Sequence, residues 1–160
     1  MLKSIVSGGQ TGVDRGALDA AIAAGIAHGG WCPCGRRAED GRIPSRYGLV
    51  ETQSGGYSVR TGWNVRDSDG TLILTRGGKP AGGTKLTMEC ARRYGRSCLT
   101  VVLDGTEEAG LVADWIETRK ISVLNVAGPR ESSRPGIGRD ARRFVEQVIC
   151  CDRSRTPAGS

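Results

Sequence analysis

What this sequence lacks already removes several classes of function. No apolar run in its 160 residues approaches the roughly 20 that a membrane-spanning helix needs, so no membrane partner is expected. Aromatic residues make up only 4%, too few for the stacking platforms that hold single-stranded nucleic acid. The only histidine is His28, and a serine–histidine–acid triad would have to use it as base. The segment Met1 to Gly9 is too short and too glycine-rich for an export signal. The expected location is therefore cytoplasmic, where the six cysteines stay reduced. Cys32-Pro33-Cys34 with His28 lacks both the spacing and the second pair that zinc requires, so no metal is expected.

What is present points to small anions. Glycine supplies 25 residues, against a typical share of roughly 7%, and the glycines are clustered. The net charge is +6, which favours anionic partners. Two arginine clusters, Arg92-Arg93-Arg96 and Arg139-Arg142-Arg143, read as solvated helix faces rather than as a nucleic-acid interface. With 38% apolar and 25% charged residues, the chain reads as one globular domain over 1–150, followed by a polar tail over 151–160.

Strand and helix patterns alternate from end to end. Strands are predicted at Leu2–Val6, Thr71–Leu74, Leu99–Leu103 and Val123–Val126. The run from Leu99 reads as an uninterrupted strand of the parallel-sheet kind, which is the kind covered on both faces. Helices are predicted at Asp14–Ala24 (Leu18 and Ile22 four apart), Tyr57–Asp67, Thr84–Tyr94 (Cys90, Ala91 and Tyr94 inward), Glu107–Glu117 and Ile137–Ile149. Between His28 and Gly56 the chain reads as a structured excursion with one short strand near Leu49–Glu51. The expected fold is α/β, a single Rossmann-like three-layer domain with a mostly parallel sheet.

Three strands are followed by loops with chemistry in common: Ser7 to Asp14, Arg76 to Thr84, and Ala127 to Ser133. Parallel strands would bring these loops to one sheet edge, where open α/β sheets bind ligands. Glycines let backbone N–H groups approach an anion, and each helix N-terminus adds a favourable dipole. Thr11, Thr84, Ser132 and Ser133 add hydroxyls, and Lys79 and Arg130 add charge. A single loop of this kind also suits a tight turn; three together fit a phosphate or another oxyanion. On the helix from Tyr57, Arg60, Asn64 and Asp67 share one stripe. That stripe reads equally as a recognition surface or as a salt bridge with a cap. Arg36-Arg37 and Glu39-Asp40 form either a solvated turn or a clamp over the ligand.

Four ordered blocks carry a resemblance. They are Ser7-Gly8-Gly9-Gln10-Thr11-Gly12-Val13-Asp14-Arg15, Gly35 to Gly41, Asn64 to Thr71, and Asn125 to Ser132. Over residues 2 to about 149 the chain resembles the family called Putative molybdenum carrier proteins. That family is a circularly permuted branch of the Rossmann-like superfamily that includes the lysine-decarboxylase-like, cytokinin-activating phosphoribohydrolases. The resemblance implies a ligand that is molybdenum cofactor (molybdopterin) or a nucleotide, a homo-oligomer (dimer or tetramer), and molybdoenzymes as acceptors. The implied site places Gly8, Gly9, Gln10, Thr11 and Gly12, with Asp14, around one anionic group. Gly82, Gly83, Thr84 and Thr87 form a second wall, and Gly128, Arg130, Glu131 and Ser132 a third. Arg37, Asp40, Asn64 and Asp67 supply further polar contacts. On this basis Gly12→Asp is expected to abolish binding and leave the fold intact.

One departure bears on catalysis. The phosphoribohydrolases carry P-G-G-x-G-T-x-x-E, whose Glu is catalytic; here Gly82-Gly83-Thr84 leads to Thr87 in that slot. Glu89 stands about 200° away from Thr87 around a helix. Gly62 also replaces an acidic residue of the family pattern. The function expected is a carrier or storage protein for a phosphorylated heterocycle. Two alternatives stay open: a nucleoside-monophosphate phosphoribohydrolase using Glu89 or Asp14, and a nucleotide-sensing module.

Overall fold

In a computed structural model that describes residues 1–78 and 82–155, five parallel strands form the central sheet in the order β2-β1-β9-β7-β8. These are β1 (Ser4–Val6), β2 (Ala27–Gly29), β7 (Gly70–Thr75), β8 (Ser97–Val102) and β9 (Val123–Ala127). Registers such as Ile5↔Leu124 and Leu72↔Val126 put Ile5, Leu72, Leu74, Leu124 and Val126 in the larger core. That core is closed by α1 (Val13–Ala24), α4 (Ala109–Thr118) and α5 (Ile137–Ser154). On the opposite face α2 (Tyr57–Arg66) and α3 (Gly82–Arg93) enclose a small cluster of Val65, Cys90 and Ala91, with Leu86 packed against it. The expected three-layer Rossmann-like α/β domain is what the chain forms.

The helices follow from their apolar spacing. Along α5, Ile137, Ala141, Phe144, Val145 and Val148 recur at three- and four-residue steps and are all buried. Helix α1 crosses α5 closely because Gly16 has no side chain; a Cβ there would lie 2.3 Å from the Gly138 carbonyl oxygen.

The structure departs from the sequence reading at four places. The excursion holds more strand than the single one expected: β2 is an edge strand of the main sheet, β3 (Trp31–Cys32) pairs with β6 (Val50–Glu51), and β4 (Arg37–Ala38) with β5 (Gly41–Arg42) makes a hairpin. Two-residue strands carry no readable period. Strand β8 is not buried on both faces; it is an edge strand on which Cys98, Thr100 and Val102 are exposed. Tyr94, read as inward, is also exposed.

The fourth departure is at the C-terminus. Residues 151–154, read as tail, are the last turn of α5. Asp152 is buried there, and its carboxylate accepts the Leu2 N–H at 2.7 Å. Residues 156–160 of the expected tail, and Lys79 with Pro80 and Ala81, lie outside the described residues.

Candidate functional site

Because all five strands are parallel, the loops after β1, β7 and β9 leave from the same edge. Helices α1 and α5 then run to one face and α3 to the other, which opens a crevice between them. Side chains and backbone tie the loops together. Val13 N–H donates to the Pro129 carbonyl at 3.2 Å, and Glu131 N–H donates to Thr11 Oγ1 at 3.2 Å. Arg76 donates to the Pro135 carbonyl at 2.7 Å and pairs with Asp140, which brings the β7 loop to the start of α5.

A cavity of about 50 Å³ lies at this edge. Gly8 and Asp14 line it from the first loop, Gly83 and Thr87 from α3, Gly128 from the loop after β9, and Asn64 from α2. Its principal charged feature is an ion pair: Arg60 reaches from α2 across Gly8 to Asp14, 3.1 Å away, with side chains 13% and 5% exposed. A Cβ at Gly8 would stand 1.6 Å from Arg60 Nη1, so the guanidinium occupies the space a side chain would take. Burial pushes the Asp14 carboxyl above its ordinary range, against the opposing pull of Arg60 and the Gln10 N–H. Arg60 Nε and Gln10 Oε1 are buried without a hydrogen-bond partner among the described residues.

Beside the cavity is a broader groove. Thr11, Gly12, Glu131, Ser132 and Asp40 line it, with Arg15 and Glu39. Arg15 pairs with Asp40 (Nη2–Oδ1 2.8 Å) and donates through Nε to the Gly9 carbonyl at 3.0 Å. Hydrogen bonds from Ser132 and Thr11 hold Glu39 below the usual carboxylate range, and Arg15 does the same for Asp40. Across the rim, the Arg130 and Arg60 guanidinium carbons lie 4.8 and 5.7 Å from the centre of the Tyr57 ring.

Residues 5–149 match the model of the circularly permutated YpsA SLOG family. The chain belongs to that family. A crystal structure of the Putative molybdenum carrier protein from Syntrophus aciditrophicus SB matches this SLOG chain with a TM-score of 0.86 at 43% identity, covering 92% of this chain and 95% of the other. No curated protein matches. The family resemblance read from the four sequence blocks therefore holds.

Within this SLOG domain, the residues singled out from the sequence divide into groups. Gly8, Asp14, Asn64, Gly83, Thr87 and Gly128 meet at the cavity, while Thr11, Gly12, Asp40, Glu131 and Ser132 meet at the groove. Gly82 and Thr84 lie in the first turn of α3, and Arg130 lies on the Tyr57 ring. Four others face elsewhere. Gly9 packs beneath Leu49 and Ile43. Gln10 is buried and donates to the Arg37 carbonyl at 3.0 Å, and the Arg37 residue itself is exposed. Asp67 lies at the far end of α2 and accepts the Trp31 indole N–H at 2.8 Å. Asn64 binds the Trp31 backbone through both Oδ1 (2.7 Å) and Nδ2 (2.9 Å). Two members of the stripe thus hold Trp31, Asn64 from a buried position and Asp67 from an exposed one.

Two expectations need correction in role. Glu131 caps α5, accepting the N–H groups of Gly136 (2.9 Å) and Gly138 (3.4 Å). Gly12 cannot take aspartate with the fold intact: its φ is +80°, and a Cβ would lie 2.4 Å from the Pro129 oxygen and 2.7 Å from the Glu131 nitrogen. The structure adds Arg15, Thr61 and Asn125 to these edges, and it brings in Arg60 and Glu39, which the sequence offered only within the α2 stripe and the clamp. Asn125 was detectable as a lone polar residue inside an apolar strand, where it now donates to Thr71 Oγ1 at 3.2 Å. Arg60 shares its stripe with Asn64, four residues on, whereas Arg15 meets the groove only through the fold.

Proposed function

We propose that this chain binds a phosphorylated heterocycle at the C-terminal edge of its sheet, molybdenum cofactor in the first place, and carries or stores it without turnover. The observation that carries the reading is the set of donors left over at that edge. No side chain caps α1 or α2, and the N–H groups of Gly8, Gly9, Thr11 and Gly12 find no acceptor among the described residues. Helix α5 differs, since Glu131 already supplies its anion. Unmet amides at helix N-termini beside Arg60 and Arg130 suit a phosphate. The cavity is of oxyanion size, so the planar ring would lie outside it, against Tyr57 and Arg130. The name of the Syntrophus aciditrophicus relative supports a molybdenum-containing cargo. Homo-oligomerisation and delivery to molybdoenzymes are part of the same proposal.

The slot of the catalytic Glu supports binding over turnover. Thr87 fills it, its hydroxyl donating to the Gly83 carbonyl at 2.7 Å, and Glu89 is exposed. One observation favours the hydrolase as a second reading: Asp14 is a buried carboxyl whose affinity for its proton is raised, at a cavity wall. Incubation with a panel of nucleoside monophosphates separates the two. The carrier releases no free base; steady release lost in Asp14→Asn would establish the hydrolase instead.

A further inference from the structure

The tip of the β4–β5 hairpin places a carboxylate in the groove beside the cavity, on Thr11, whose N–H the proposed function offers to a phosphate. Glu39 accepts hydrogen bonds from the Thr11 hydroxyl, the Ser132 N–H (3.2 Å) and the Ser132 hydroxyl. Thr11 Oγ1 meanwhile accepts the Glu131 N–H, which leaves its own proton directed at Glu39. Two hydroxyls and an amide converging on one carboxylate form an oxyanion-binding arrangement. We propose that this hairpin is an autoinhibitory latch, with Glu39 standing in for the ligand's phosphate on Thr11 and Ser132 until an incoming phosphate displaces it. The inference rests on the reading of this edge as an anion site.

The hairpin is anchored differently at its base and at its tip. Its base is fixed: the Arg36 guanidinium is buried and donates to the carbonyls of Ile43, Leu49, Pro44 and Tyr47 at 2.8–3.3 Å. The tip, Glu39 and Asp40, is exposed and is held only by polar contacts, namely those of Glu39 and the pair between Asp40 and Arg15. Water competes for such exposed contacts, so each is individually weak. A phosphate offers the same donors more oxygens and more charge. Because Glu39 is held ionised, it competes as an anion and not as a neutral acid.

The test is titration of the ¹⁵N-labelled full chain with inorganic phosphate, following the Thr11 and Ser132 amides, in the native protein, Glu39→Gln and Asp40→Asn. Glu39→Gln keeps the shape and removes the competing charge; Asp40→Asn loosens the tip from Arg15. Removal of a closed state raises apparent affinity by the fraction of time the site was covered, so about five- to tenfold tighter binding is expected for Glu39→Gln. Asp40→Asn is expected to move in the same direction. Equal affinities in all three proteins, with the Ser132 shift present, would overturn the latch and leave the anion site standing. Weaker binding by Glu39→Gln would make Glu39 a recognition group and overturn the latch as well. Absence of any Ser132 shift in all three would contradict the anion site itself. Amide dispersion in the phosphate-free spectra verifies that each variant is folded.

Discussion

Replacement of Arg60 by leucine should destabilise the protein strongly at neutral pH and much less in mild acid. Arg60 is the partner of Asp14, and both side chains are largely buried. Loss of one member of a buried pair leaves an uncompensated charge, which costs about 3–5 kcal/mol. The Asp14 carboxyl can escape that cost by taking up a proton. Its folded value is already raised by burial above the ordinary 3.8, and Arg60 is the largest influence pulling the other way. Without Arg60 the folded value rises further. Between the unfolded and folded values the native state holds the proton and the unfolded state does not, so stability falls as pH rises through that window, by at most about 1.4 kcal/mol per unit. The variant's window reaches to higher pH than the native protein's, and the loss caused by Arg60→Leu should therefore shrink as the pH is lowered. Urea unfolding at pH 7.5 and 5.5, native protein against variant, reads this directly. Asp14→Asn should relieve the variant, making Arg60→Leu/Asp14→Asn more stable than Arg60→Leu alone at pH 7.5. An equal loss at both pH values, or a double variant less stable than the single one, would refute the reasoning.

Three further outcomes are expected. Gly12→Ala should lower stability by about 1–3 kcal/mol, because its Cβ meets backbone atoms on both sides at positive φ; thermal unfolding measures it. Glu131→Ala should cost about 1 kcal/mol through loss of the α5 cap, with faster hydrogen exchange at Gly136 and Gly138. Tyr47 is pushed up to about 12 by burial and by its bond to Asp19, so it should ionise after the exposed tyrosines in an absorbance titration. Its neutral form is favoured in the folded state, so its contribution to stability is present below 10.0 and is lost as pH rises from there towards about 12.

The layering was legible because long periodic segments leave few alternatives. The five-residue apolar stripe of α5 and the apolar cores of β7 and β9 fix their own burial. The meeting of the three loops was legible too, since parallel strands send their C-terminal ends to one edge. What the sequence hid is what depends on distance in three dimensions. Glu39 meets Ser132 across 93 residues, and Arg60 meets Asp14 across 46. Neither pairing leaves a local period. The Asn64–Asp67 stripe shows the converse: its helical spacing was correct, but its partner Trp31 lies on β3, a strand too short to announce itself. Gly12 likewise reads as a generic anion-loop glycine until its φ and its distance to Pro129 are known.

The central claim is that the sheet edge holds a phosphorylated heterocycle, and native mass spectrometry of the chain isolated from its own host tests it most directly. The account predicts a bound mass of one phosphate-bearing pterin per chain, lost on denaturation and depleted in Arg60→Leu. A chain that flies at its bare mass under conditions that preserve complexes of this kind, or one whose ligand carries no phosphate, would contradict it.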